Sequence, residues 1–182
     1  VISNPNNAGL FLIQFNSSIY VENMRVSDHV VQSRGGGFLR AILNNTVFIR
    51  NLNLNNLDDQ ATIDSAAGFN FASNNTFVIF DSSFRRVRSK KNGLFRSENN
   101  NTGFIKNCVF TFVLSKEEGG FEALYSRSRL AVVGCYFFNF SSTIGAESGG
   151  GIIYMNSSNI FKIINSTILF CSADLGGVMR IN

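Results

Sequence analysis

The chain is built from short segments in which apolar and polar residues alternate, separated by asparagine, serine and glycine. Six segments share one pattern, with apolar residues at two alternate positions, then Asn, Asp or Gly, then an apolar residue three positions later. They read IYVENMRV, VFIRNLNL, FVIFDSSF, GFIKNCVF, LAVVGCYF and FKIINSTI. Alternation predicts a strand with one buried face. The step of three predicts a bend between two strands, because continued alternation would turn the last apolar residue outwards.

The bend positions are expected to form a column that needs a left-handed backbone, which Asn, Asp and Gly adopt at the lowest cost. We predict a structural ladder whose side chains hydrogen-bond from layer to layer and satisfy amides that would otherwise be buried unpaired. Its residues are Asn23, Asn51, Asp81, Asn107, Gly134 and Asn165. The flanking columns predicted to face the core are Val21, Ile49, Ile79, Ile105, Val132 and Ile163, and Val26, Leu54, Phe84, Phe110, Phe137 and Ile168.

A glycine followed by an apolar residue recurs every 25 to 31 residues, at Gly9, Gly37, Gly68, Gly93, Gly120, Gly151 and Gly177. Such a period indicates a solenoid. β-Propeller repeats are longer, at about 40 residues, and leucine-rich repeats need a Leu-x-x-Leu-x-Leu frame that these units lack. We predict an all-β fold, a right-handed parallel β-helix of about six coils with three short strands per coil. Residues 1–182 are expected to form one domain of a longer repetitive chain.

With these units the chain resembles the pectin-lyase-like β-helix superfamily, including its asparagine ladder between the second and third strands. The motifs GGGF, GGGI and GGV alternate with FIRN and FKIIN. They are similar to the Gly-Gly-apolar and Phe-x-x-Asn repeats of the polymorphic outer-membrane protein type found on cell surfaces. The resemblance covers nearly the whole chain and implies the fold. The repeat motifs build the coil and contain no reaction centre.

Many pectin-lyase-like proteins cleave polysaccharides, but no catalytic residues emerge from the sequence. Hydrolysis needs two carboxylates about 5 to 9.5 Å apart across a sugar. Asp58 and Asp59 are expected in one turn, and Asp81 at a bend. The hydrolase signatures of the superfamily and the calcium-binding carboxylates of its lyases are absent. His29, beside Asp28, is expected in a turn and supplies no catalytic constellation.

Asn-x-Ser/Thr triplets recur along the chain and predict N-glycosylation on exposed turns. The predicted sites are Asn16, Asn44, Asn74, Asn100, Asn139 and Asn156. Asn165 begins a seventh triplet, but it is expected to stay unmodified because it occupies the ladder. The alternative is that the triplets are turn chemistry in a chain rich in Asn, Ser and Thr.

The three cysteines form neither a Cys-x-x-Cys pair nor a Cys/His cluster, so no metal site or cofactor is predicted. Cys108 and Cys135 each follow a ladder residue and should therefore lie on adjacent coils. A spacing of about 4.8 Å lies within the Cα separation that a disulfide accepts. The alternative is two stacked reduced thiols that act as small apolar fillers. Cys171 lies elsewhere on its coil.

A basic patch accounts for much of the net charge of +4, with Arg85, Arg86, Arg88, Lys90 and Lys91 in one segment. Such a patch could bind acidic polysaccharide, lipid head groups or nucleic acid. We prefer a local explanation. Lys90 and Lys91 should stack against Glu117 and Glu118 of the next coil as exposed salt bridges, each contributing about 0 to 1 kcal/mol.

The leading functional hypothesis is a non-enzymatic glycoprotein module, secreted or on the cell surface, that acts as a structural or adhesive rod. The alternative is a carbohydrate-active β-helix whose catalytic coils lie outside these residues. Expected partners are N-linked glycans and further coils, of the same chain or of another copy joined head to tail. Polysaccharide is the partner in the alternative. No nucleic-acid binding is expected, and no apolar run approaches the roughly 20 residues of a membrane span.

Overall fold

The computed structural model describes residues 9–31, 36–60, 66–90, 92–116, 120–142, 151–156, 158–173 and 177–181. These residues form a parallel β-solenoid without helices, in which each coil contributes strands to three parallel sheets. The predicted all-β parallel β-helix is therefore confirmed. The stack has about five turns rather than about six. The prediction counted intervals between glycines, and the last interval contains shorter strands than the others.

The strands follow one another in a fixed order, so that each of the first fifteen strands pairs with the strand three places along the chain, and the sixteenth pairs with the twentieth. The first sheet contains β1 (Phe11–Phe15), β4 (Leu39–Leu43), β7 (Phe69–Ser73), β10 (Phe95–Asn99), β13 (Glu122–Ser126), β16 (Ile153–Met155) and β20 (Met179–Ile181). The second contains β2 (Ser18–Glu22), β5 (Thr46–Arg50), β8 (Thr76–Phe80), β11 (Thr102–Lys106), β14 (Arg129–Val133) and β17 (Ile160–Ile164). The third contains β3 (Arg25–Val31), β6 (Asn53–Asp59), β9 (Ser83–Ser89), β12 (Val109–Ser115), β15 (Tyr136–Ser142) and β18 (Thr167–Leu169), with β19 (Ser172–Ala173) also paired to β15.

The recurring glycine marks the approach of the chain to the first sheet. A Cβ added at Gly9 would lie 1.9 Å from the carbonyl oxygen of Gly37, and one at Gly151 would lie 2.5 Å from that of Gly177. The backbones of successive coils therefore leave no room for a side chain at these two positions. The alignment of Gly68 with this column is wrong by one residue. Leu39, Phe69 and Phe95 are paired, so Ala67 lies two residues before the strand, where the other coils have glycine.

The predicted core columns face inwards. Of the first column, Ile49, Ile79, Ile105 and Val132 are fully buried and Val21 nearly so, whereas Ile163 in the last turn is 37% exposed. In the second column, phenylalanine rings stack in register. The ring centroids of Phe84 and Phe110 lie 5.0 Å apart, and those of Phe110 and Phe137 lie 5.1 Å apart, with nearly parallel planes. These separations are close to the strand spacing of about 4.8 Å.

Each coil bends at three places, and every bend places a residue in the left-handed region. The first bend contains Asn16, Asn44, Asn74, Asn100, Arg127 and Ser158. The second contains the predicted ladder residues, Asn23, Asn51, Asp81, Asn107, Gly134 and Asn165. The third lies inside the long strands of the third sheet, and between β18 and β19 in the last turn. It contains Asp28, Asn56, Arg86, Phe112, Asn139 and Phe170. The sequence predicted a left-handed backbone only at the second bend.

The second-bend side chains are exposed, so the expectation that they satisfy buried amides is wrong. Asn51 still donates to Asn23 at 2.7 Å, and Asn107 to Asp81 at 3.3 Å, but both bonds lie in solvent. Exposed amides have water as an alternative partner, which makes such bonds worth less than buried ones. The second bend therefore uses these residues chiefly for their backbone conformation.

The buried asparagine ladder lies directly after the first bend, at Asn45, Asn75 and Asn101, each 1% exposed. The Nδ2 of Asn45 donates to Oδ1 of Asn75 at 3.1 Å, and that of Asn75 to Oδ1 of Asn101 at 3.1 Å. The same oxygens accept the backbone N–H groups of Asn45 and Asn75, at 3.0 and 2.8 Å. Ser128 and Asn159 continue the column.

We predict that Asn75→Leu lowers the free energy of unfolding by about 3 to 5 kcal/mol, because the buried N–H groups of Asn45 lose their acceptor. Asn107→Leu should cost only about 1 to 2 kcal/mol, from the left-handed backbone. Asn107→Gly should be close to neutral. Denaturant midpoints of the three variants test this order. An equal loss for Asn75→Leu and Asn107→Leu would contradict the assignment of the buried ladder.

Candidate functional site

The sequons coincide with a repeated structural triplet at the first bend. Asn16, Asn44, Asn74 and Asn100 are exposed and have φ between 48° and 55°. In the last three, the next residue is the buried ladder asparagine, followed by an exposed threonine that begins a strand of the second sheet. The Asn-Asn-Thr sequence thus supplies a bend residue, a ladder residue and a β-branched strand residue. The turn-chemistry alternative has a physical basis, and the same geometry exposes the acceptor asparagine.

The remaining sequon asparagines lie elsewhere on the surface. Asn139 is exposed at the third bend within β15, and Asn156 is exposed directly after β16. Asn165 is also exposed, so the reason given for its staying unmodified is wrong. The second bend, where Asn165 lies, is not the buried ladder.

Cys108 and Cys135 lie at equivalent positions of adjacent coils, as expected, and both are buried free thiols. The backbone N–H of Cys108 donates to Sγ of Cys135 at 3.4 Å, and the N–H of Cys135 donates to Oγ of Ser166 at 3.1 Å. In the same column, the N–H of Leu52 donates to Oγ of Ser82 at 3.1 Å. The cysteines therefore take the place of serines in a second buried ladder.

The two thiols differ in acidity. The hydrogen bond with Cys135, followed by burial, raises the pKa of Cys108. The same hydrogen bond lowers the pKa of Cys135, which accepts it. Cys135 also donates to the carbonyl of Val133 at 3.4 Å, as Ser166 donates to that of Ile164 at 2.9 Å. This shared geometry explains why a thiol can replace a hydroxyl here.

Three of the described aspartates accept hydrogen bonds from side chains within the stack. Side chains donate to Asp28 from Asn56 at 2.7 Å, to Asp58 from Gln60 at 3.1 Å, and to Asp81 from Asn107 at 3.3 Å. Asp58 and Asp59 lie in β6 rather than in a turn, and His29 lies in β3 rather than in a turn. Over the described ranges, no group of three or more His, Cys, Asp or Glu side chains is placed to hold a metal ion.

The basic patch lies on the outer face of the third sheet. Arg85, Arg86 and Arg88 are exposed on β9, and Lys90 follows it, half-buried. Within the part of the chain that the structure describes, none of the three arginines forms an ion pair. The predicted pairing of Lys90 and Lys91 with Glu117 and Glu118 lies outside the described residues, because only Lys90 among the four is described.

A shallow cavity of about 400 Å³ lies beside these arginines, and we call it the third-face groove. It crosses β6, β9, β12 and β15, and its walls combine guanidinium, amide and apolar groups. The lining residues are Asn56, Arg86, Arg88, Phe112, Val113, Leu114, Asn139 and Ser141. Phe112 is 50% exposed. The sequence indicated the arginines but not Phe112. Buried and outward-facing residues alternate along β12 only as far as the third bend, where Phe112 lies.

Comparison of the chain with protein-family models, curated proteins and solved structures found no match. The fold thus rests on the strand pairing and the buried columns. Among the described residues, there is no helix long and apolar enough to span a bilayer.

We predict that Cys135→Ser leaves the free energy of unfolding within about 0.5 kcal/mol of the wild-type value. Cys135→Val has a similar shape but accepts no hydrogen bond, so it should cost about 1 to 3 kcal/mol by leaving the buried N–H of Cys108 unpaired. Denaturation in the presence of reductant measures both. Equal midpoints for the serine and valine variants would contradict the thiol ladder, and a wild-type midpoint that falls on adding reductant would favour a disulfide.

Proposed function

We propose that the chain is a non-enzymatic structural module of a secreted or cell-surface glycoprotein, in which the stacked coils form a rigid rod. The observation that carries the proposal is the use of polar side chains to join coils. The buried ladders after the first and second bends both run across successive coils. A chain whose buried polar groups hydrogen-bond one coil to the next is expected to be rigid.

Three further features support a rod. The described aspartates Asp28, Asp58 and Asp81 accept hydrogen bonds from neighbouring side chains. Asp81 also faces Arg50 of the adjacent coil, with Nε of Arg50 and Oδ2 of Asp81 3.7 Å apart. The resemblance of the repeat motifs to polymorphic outer-membrane proteins and to the pectin-lyase-like superfamily is in keeping with a surface location. Coils of this type extend by adding further units, either along one chain or between copies.

The exposed edge of sequons supports passage through a secretory pathway. The sites Asn16, Asn44, Asn74 and Asn100 belong to successive coils and so lie roughly 4.8 Å apart per layer. Glycans on one edge would leave the outer faces of the second and third sheets uncovered. A rod modified in this way would be hydrated along one side and open to contact on the others.

We expect peptide mapping of the chain, expressed through a eukaryotic secretory pathway, to find N-glycans at several of Asn16, Asn44, Asn74, Asn100 and Asn156. Thr46→Val removes the sequon at Asn44 and keeps a β-branched residue on β5, so the intact mass should fall by one glycan. Thr46→Ser keeps the sequon and serves as the control. A folded, secreted chain without any glycan would contradict the glycoprotein proposal.

A further inference from the structure

The third-face groove belongs to a larger exposed surface of aromatic rings and arginines. Phe170 is 75% exposed and Phe112 is 50% exposed, and the ring of Phe138 lies between them. The centroid of the Phe138 ring lies 5.7 Å from that of Phe112 and 5.3 Å from that of Phe170. The arginines of β9 continue this surface on the adjacent coil. Large exposed apolar groups beside polar ones mark interaction surfaces.

The third bend places more bulky residues in the left-handed region than the other two bends do. The third bend is occupied by Asp or Asn in three coils, but by Arg86, Phe112 and Phe170 in the others, with φ of 53°, 57° and 54°. A bulky residue in this region is an outlier, and it costs about 1 to 2 kcal/mol. Strain of this kind persists where the exposed side chain has a use. The second bend contains no such bulky residue, and the first contains one, Arg127.

The outer face of the second sheet also carries aromatic rings, but they cover one another. Tyr20, Phe48, Phe80 and Phe104 form a row with centroids 5.8 Å apart. Of these four, only Tyr20 is largely exposed. A cavity also lies at the edge of this row, but the arginine that lines it, Arg50, is paired with Asp81. The third face is therefore the better candidate.

The ring geometry indicates which class of partner fits. Phe112 and Phe138 meet at 78°, and Phe138 and Phe170 at 76°. Rings set alternately at right angles give a corrugated surface, whereas sugars and bases stack on flat ring faces. Corrugation suits the insertion of apolar side chains. Arginine and aromatic residues are also the types that dominate the energetics of protein–protein contacts.

The charges of the surface indicate the sign of the partner. Arg85, Arg86 and Arg88 project from one strand, and the described part of the chain gives them no ionic partner. Asp58 lies opposite Arg88 on the neighbouring strand and limits the basic surface on that side. The positive charge is thus local rather than a long track of the kind that follows a nucleic-acid backbone. It matches a short acidic segment.

We propose that the third-face groove and the adjoining rings dock an acidic peptide segment of a partner protein. Acidic side chains of the segment bind Arg86 and Arg88, and its apolar side chains pack against Phe112 and Leu114. The groove crosses four strands, a span of roughly 15 Å at 4.8 Å per coil. That length accepts a short extended segment and not a folded domain.

The test uses fluorescence anisotropy with two labelled nonapeptides, three repeats of Asp-Glu-Phe and three repeats of Asp-Glu-Ser. The two probes carry the same charge and differ only in their apolar side chains. Binding of the phenylalanine peptide should be about tenfold tighter, as expected for the burial of apolar surface. Equal binding of both peptides would overturn the proposal, because charge alone would then explain the interaction.

Arg86→Asn combined with Arg88→Gln removes both guanidinium groups while placing at position 86 a residue suited to the bend. This variant should weaken binding of the phenylalanine peptide at least about tenfold. Phe112→Asn matches Asn56 and Asn139 in its column and should weaken it about fivefold, by loss of an aromatic contact. Circular dichroism and denaturant midpoints establish that both variants are folded.

The matched control is Arg127→Asn combined with Arg129→Gln. Arg127 is also an exposed left-handed residue, with φ of 52°, and Arg129 is exposed two positions later, at the edge of the second sheet. This variant loses the same charge and should bind the peptide within about twofold of the wild type, because distant surface charges are screened. Equal weakening by both double variants would overturn the proposal.

Competition distinguishes the other polyanions. Heparin fragments, polygalacturonate and a short oligothymidine, matched to the peptide in charge, should displace the phenylalanine peptide only at higher concentrations than unlabelled peptide. Displacement by any of them at a lower concentration, abolished by the Arg86 and Arg88 substitutions, would assign the surface to that polyanion and overturn the peptide proposal.

Discussion

The structure depends on hydrogen bonding between coils. Each coil must pair its backbone N–H and C=O groups with the coils above and below, at about 4.8 Å per layer. Along the strands the three sheets meet this need. At the bends the backbone pairing is interrupted, and side chains accept the backbone N–H groups instead. Asn45, Asn75 and Asn101 do so after the first bend, and Ser82, Cys135 and Ser166 after the second.

This constraint accounts for much of the unusual composition. A bend needs a residue in the left-handed region, and the following position needs a short side chain that both donates and accepts. Asparagine suits both positions, and serine or cysteine the second. The Asn-Asn-Thr triplets are therefore well suited to the coil itself. They create glycosylation sequons as a consequence, so the sequons alone do not establish modification, whereas their exposure makes it feasible.

The fold could be predicted because its signal repeats. Five of the six residues in the predicted core column that begins at Val21 are buried. The column could be recognised because six segments share one pattern, so that the other segments supported any single ambiguous one. The position of the buried ladder was predicted wrongly for a physical reason. Asn101 and Asn107 are both asparagines shortly before a strand, and nothing in the sequence distinguishes the one whose side chain faces inwards. The side chain of Asn101 is buried because Asn101 follows a left-handed residue, Asn100. Asn107 is itself the left-handed residue of its bend, and its side chain is exposed.

The sequence predicted only part of the third-face groove, for a related reason. The arginines of β9 formed a conspicuous cluster, but Phe112 reads as one more apolar residue of an alternating strand. It becomes exposed because the third bend reverses the alternation, with φ of 57°, so that Val113 rather than Phe112 enters the core. In a solenoid, inward columns are fixed by stacking and outward columns are free to vary. Departures from asparagine at an outward bend are therefore the places where such a chain can acquire a specific surface without disturbing its core.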